Sequence, residues 1–177
     1  LYSIVDRAFV GHIPGEGELA LASIGLCAPV LTAIAAFTSL IGVGGASLMS
    51  ISMGRKEYRD AEQAMNQSLG LLLGISLLLT AVALAAERPL LYALGCSPAM
   101  YPYASGYFRI YILGTPAVLC GTGMNQFVLA WGRARRGMLA VVLGALVNTV
   151  LDPVCIFALD LGIEGAAIAT VLAQYCV

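Results

Sequence analysis

The chain has 177 residues, 60% of them hydrophobic and 11% charged, with a formal net charge of −1 and a mean hydropathy of +0.90. A soluble domain carries roughly a quarter charged residues, so this composition cannot cover a water-exposed surface and the expected solvent is lipid. A near-neutral balance with no basic tract excludes nucleic acid as an expected partner.

A helix needs about 20 apolar residues to cross ~30 Å of hydrocarbon, so charge-free stretches mark the elements. The chain opens at Leu1 inside an apolar pattern, which predicts a first span over 1–12. Leu19–Met53 follows without a charge, then Gln63–Ala86, then Ile110–Gly132 as the inner part of a span that starts near Pro98. Gly137–Leu159 holds one charge, Asp152, and the run to Val177 ends without a cap. The pattern predicts an all-α membrane protein, a bundle of six helices over about 1–12, 19–53, 60–86, 98–131, 137–159 and 163–177. The first and last are expected to be truncated, as in a piece of a longer protein. Repeats of this length do not fit a β-barrel, whose strands need about ten alternating residues.

The connections orient the spans. Arg55, Lys56 and Arg59 lie in the second connection and Arg133, Arg135 and Arg136 in the fourth. The first, third and fifth hold only Arg88 among Glu16, Glu18, Glu87, Asp160 and Glu164. Lysine and arginine concentrate on the cytoplasmic side, which predicts a multi-pass protein of the cytoplasmic (inner) membrane with the second and fourth connections inside. Gly42, Gly44 and Gly45 interrupt the second span, and Pro29, Pro116 and Pro153 fall inside others. Kinks at the prolines and close packing at the glycines are both expected. The five cysteines, scattered without C-x-x-C spacing, read as small apolar residues rather than disulfides or metal ligands. His12, in an outer connection, reads as solvated.

Four charges remain at membrane depth: Asp6, Arg7, Arg109 and Asp152. Each costs ~2.5–3.5 kcal/mol or more at a helix centre, so a paired or functional role is the default. Counting from the outer connections puts Asp6 roughly 8–13 Å and Asp152 roughly 13 Å below the outer interface. Asn148 lies four residues before Asp152 on the same helix face. Thr170 and Tyr107 fall at ~10 and ~12 Å. Two carboxylates, an amide oxygen and a hydroxyl would form an oxygen cage for a small hard cation or a proton. Asp6 beside Arg7 also reads as an interfacial ion pair, Arg109 as the partner of a carboxylate, and Asp152 before Pro153 as the mark of a kink. No nucleophile, metal cluster or phosphate loop points to an enzyme.

Five stretches carry a family resemblance: Ile4–Gly11, Gly42–Ala46 leading to Gly54 and Arg55, Asn125–Gly132, Asn148–Pro153 and Gly162–Thr170. In this order the chain resembles the amino-terminal lobe of multidrug and toxic compound extrusion (MATE) transporters. The resemblance implies one six-helix lobe of a twelve-helix antiporter, coupled to Na⁺ or H⁺ and needing no other cofactor. Its implied partners are a small organic substrate, the bilayer and the carboxy-terminal lobe. It assigns the cation site to Asp6, Asn148, Asp152 and Thr170, with no metal beyond a Na⁺ there. Tyr107, Arg109, Asn125 and Gln126 become candidates to support that site or face the substrate. A lipid-linked oligosaccharide or lipid flippase of the same superfamily, a membrane enzyme and a non-transporting scaffold are the alternatives.

Overall fold

The structure is a computed structural model and describes residues 9–11, 17–158 and 161–176. Asp6, Arg7 and His12 therefore lie outside the described residues, as does most of the expected first span. The helices follow from the charge-free runs. α1 spans Gly17–Gly54, α2 Tyr58–Ala85, α4 Tyr101–Ala130 and α5 Ala134–Pro153, with the short α3 at Glu87–Ala93 and α6 at Gly162–Tyr175. α1, α2, α4 and α5 with its extension to Ala158 are each long and apolar enough to cross a membrane. Their polar side chains are quenched locally. The hydroxyls of Ser23, Thr38, Ser50 and Thr149 each donate to the carbonyl four residues back, as a helix in lipid requires.

α4 is the hub, packed against α1, α2, α5 and α6. Its Phe108, Ile112 and Leu119 are fully buried in one core with Cys27 of α1, Leu72 of α2 and Ala167 of α6. Long aliphatics face outward instead, Leu40 at 71% exposure and Leu77 at 62%. Small residues such as Ala104, Ala166 and Ala167 sit among the large ones in the core, and let helices approach closely in lipid. All five cysteines are free thiols.

The glycines of α1 do not break it. Gly42 lies against the backbone of Gly123, where a Cβ would meet the Gly123 carbonyl oxygen at 3.0 Å, and Gly45 is covered by Ser68 and Phe127. Gly44 meets nothing within 4 Å. Two of the three are contact points between helices.

The third connection also differs from expectation, because it contains α3. Glu87 and Pro89 occupy its first turn, where an acid suits the helix dipole and proline's fixed φ is already helical. Leu91, one turn after Glu87, is fully buried and anchors it to the core. Seven residues that begin with two charges carry no span-length signal, so a count of apolar runs does not find the helix. Glu87 also answers for Arg109, whose Nε donates to its Oε2 at 2.6 Å, while the Tyr101 hydroxyl donates to Oε1 at 3.3 Å. Arg109 thus ties α4 to α3 at the outer end, its side chain 58% exposed. Arg109→Gln should lower the thermal midpoint by a few degrees and leave ion binding unchanged, measurable by a thermal-shift assay with and without Na⁺.

Candidate cation site

The buried polar residues of α5 and α6 meet at one point. Asn148 and Asp152, one turn apart, are both 0% exposed, and Thr170 is 5% exposed. The Asn148 amide nitrogen donates to Asp152 Oδ1 at 3.1 Å and to Thr170 Oγ1 at 3.4 Å. One amide therefore spends its donor side gathering a carboxylate and a hydroxyl. Its own oxygen, Asn148 Oδ1, is buried without a hydrogen-bond donor among the described residues. A buried acceptor left in that state costs ~1–3 kcal/mol, a deficit that a bound cation would offset. Carboxylate, amide and hydroxyl oxygens are the donor set a hard cation prefers.

Backbone geometry makes this meeting possible. α5 ends at Pro153, immediately after Asp152, and continues as one π-helical turn, Val154–Ala158. Proline offers no N–H to the carbonyl one turn back, and π-type bulges in α-helices are frequent at functional sites. α6 then comes back against this turn through Gly165, where a Cβ would sit 2.6 Å from the Cys155 carbonyl oxygen. Its other side is fixed by Val171, which covers Gly114 of α4. Thr170 lies between these two contacts, and so faces Asn148. Phe9, near the start of the chain, packs edge-on against Phe157 of the same π turn, with centroids 6.5 Å apart, and Val10 is fully buried in the main core.

Of the other expected site residues, Tyr107 lies in the core beside these helices, whereas Asn125, Gln126 and Arg109 lie at other levels of the bundle. Tyr107 is buried on α4, its ring stacked on Tyr111 at 6.0 Å. It shares the main core with Ile156, Ala166 and Ala167, neighbours of Asp152 and Thr170 in the chain. Asn125 lies against Gly137 and Gln126 against Gly42, which is the inner half of the bundle. Gly137 is eleven residues before Asn148, about 16 Å along α5, so these two amides belong to a different layer. Arg109 is engaged at the outer end by Glu87.

One residue escaped the sequence reading. Gln174 is 9% exposed, and its Oε1 has no hydrogen-bond partner among the described residues. It follows Thr170 by four positions, which places it on the same helix face one turn deeper. That spacing was the available signal.

Residues 1–154 match the family model MatE. The chain is 28% identical over 174 residues to the multidrug export protein MepA of Staphylococcus haemolyticus, covering 98% of this chain and 38% of that protein. It superposes on a solved structure described as MATE in the bent conformation with a TM-score of 0.93 and 32% identity, over 99% of this chain and 39% of that one. A MOP superfamily transporter from Pyrococcus furiosus, for which a reverse polarity of the binding pocket was taken to suggest a different function, superposes with a TM-score of 0.86 and 34% identity, over 98% of this chain and 38% of that one. The chain thus spans under two-fifths of the length of the curated relatives it matches.

Proposed function

The chain belongs to the MatE family, and on that footing we propose that its buried polar cluster is the coupling-ion site of a multidrug antiporter. In this reading the chain is the amino-terminal lobe of a transporter that takes in Na⁺ or H⁺ and exports an amphipathic, often cationic, organic compound. The observation that carries it is the Asn148 amide, which holds the Asp152 carboxylate and the Thr170 hydroxyl at 3.1 and 3.4 Å inside a lipid-embedded bundle. A scaffold has no need of a fully buried carboxylate, which is costly at such depth.

Asp6 supplies the second carboxylate in this proposal. The contact of Phe9 with Phe157 supports it, because it ties the segment following Asp6 to the turn following Asp152. An ion bound among Asp6, Asn148, Asp152 and Thr170 neutralises the carboxylates and pins α6 to the end of α5. Release of the ion restores charge and loosens that contact. The ion shifts the transporter between outward- and inward-facing states only by the difference in its affinity for them. The substrate cavity would form with the carboxy-terminal lobe, the partner proposed for this one.

The test is uptake of a fluorescent organic cation into inverted vesicles carrying the full-length protein, with Na⁺ and pH gradients imposed separately. Accumulation driven by at least one gradient is expected. Transport indifferent to both refutes ion coupling. The second reading, a lipid or lipid-linked oligosaccharide flippase of the same superfamily, makes the opposite prediction. Ion-independent movement of a lipid-linked sugar in the same vesicles would favour it.

A further inference from the structure

At the opposite end of the bundle, a cavity of about 380 Å³ lies under the two basic turns, lined by Met49 and Met53 of α1, Tyr58, Ala61, Glu62 and Met65 of α2, and Trp131 after α4. Its floor is apolar. Ala61 and Met49 are buried there with Phe127, and Met53 and Met65 pack beside them. Unbranched thioether side chains yield to ligands of irregular shape. The mouth is aromatic: Tyr58 is 67% and Trp131 54% exposed, rings of the kind that settle at a membrane–water interface.

Charge around the mouth is unbalanced. Arg55, Lys56 and Arg59 are matched by Glu57, Asp60 and Glu62, whereas Arg133, Arg135 and Arg136 on the other turn have no acidic neighbour in sequence. All six basic residues are exposed, and among the described residues the one ion pair is that of Arg109 with Glu87. The Arg133 guanidinium lies over the Trp131 ring, 5.0 Å from its centroid, which places an uncompensated positive charge at the rim of an apolar cavity.

The geometry points to a binding site for an anionic phospholipid of the inner leaflet. One acyl chain enters the methionine-lined cavity beside Trp131, and the phosphate of the headgroup is held by Arg133, Arg135 and Arg136. Glu62, on the α2 side of the lining, turns the anion toward the arginine-rich turn. A lipophilic cation would instead have to use Glu62 against the net positive charge of the rim, which makes it the less fitting occupant. The site bridges the α1–α2 and α4–α5 turns, so a bound lipid would brace the inner end of the bundle.

Trp131 is the sole tryptophan of the chain and lines the site, so it serves as the probe. The protein, full length, is reconstituted in nanodiscs with phosphatidylglycerol or phosphatidylcholine brominated on the acyl chain. Quenching assigned to Trp131 is taken as the difference from a Trp131→Phe sample. Phosphatidylglycerol should be enriched about fivefold at the probe over its bulk fraction, since each basic residue near the surface adds attraction for an anionic lipid. The preference should vanish in the triple variant Arg133→Gln, Arg135→Gln, Arg136→Gln, whose substitutions are at exposed positions and spare the fold. Ala61→Phe, which fills the cavity, should reduce quenching by both lipids. Equal quenching by the two lipids in the parent, or a preference that survives the triple variant, overturns the proposal. So does displacement of the preference by millimolar inorganic phosphate alone, the mark of a headgroup-only anion site. A shift of Trp131 emission by tetraphenylphosphonium that Glu62→Gln abolishes would assign the cavity to a cation instead.

Discussion

Asp152→Asn is expected to eliminate gradient-driven transport, on the order of a hundredfold or more and down to the leak of empty vesicles, without unfolding the lobe. The substitution is nearly isosteric, and the new amide oxygen can still accept the 3.1 Å bond from Asn148. Removing a buried charge also removes its desolvation cost, so thermal stability should hold or rise. What disappears is the differential affinity for a cation, and with it the energy that a gradient can deliver. Asp6→Asn supplies the independent check. If the two carboxylates share one ion, the double variant should be no worse than either single variant, because residues acting as a unit are strongly non-additive. An Asp152→Asn protein that still concentrates dye at the parental rate would remove the ion site from the mechanism.

The parts of this site that could be read from sequence are those governed by one helix. Asn148 and Asp152 are four residues apart, and helix periodicity alone puts them on one face. Depth places Thr170 beside them, a measure that works because α5 ends and α6 begins at the same outer boundary. Contacts between helices are a different matter. Gly42, Gly44 and Gly45 read alike in the sequence, yet one faces the Gly123 backbone, one is covered by Ser68 and Phe127, and one faces nothing. Arg109 reads as a charge at membrane depth seeking a carboxylate. Its partner Glu87 stands 22 residues away on α3, whose seven residues fall far below the length of a span. Gln174 was legible in principle, four positions past Thr170, but a lone polar residue in a terminal run gives no reason to look for a partner.

The π turn connects these two kinds of information. Pro153 is visible in the sequence as a helix breaker, whereas its consequence is a wider turn whose carbonyl at Cys155 meets α6. A helix that kept α-geometry past Asp152 would present a different backbone atom to Gly165. The local rule set by one proline therefore fixes how closely two helices approach, and that approach sets the Asn148–Thr170 distance.

Gly165→Ala should weaken ion binding more than tenfold although no ligand is altered. The new methyl carbon would stand 2.6 Å from the Cys155 carbonyl oxygen and 2.7 Å from its carbon, where ordinary contact begins at 3.4 Å. Both are backbone atoms and cannot swing aside, so α6 must retreat by most of an ångström. The Asn148–Thr170 bond is already 3.4 Å long, and such a shift takes it beyond hydrogen-bonding range. Overpacking of this kind costs about 1–3 kcal/mol, which a bundle in lipid can absorb without failing to insert. Gly74→Ala is the matched control, since nothing lies within 4 Å of its Cβ position and alanine favours the helix by ~1 kcal/mol. Isothermal titration with Na⁺, or the pH dependence of proton uptake, reads both variants. Unchanged affinity in Gly165→Ala would mean that the spacing of α5 and α6 does not define the site. A loss confined to Gly165→Ala, with Gly74→Ala at parental affinity, would establish that a glycine with no polar side chain controls the geometry of ion capture.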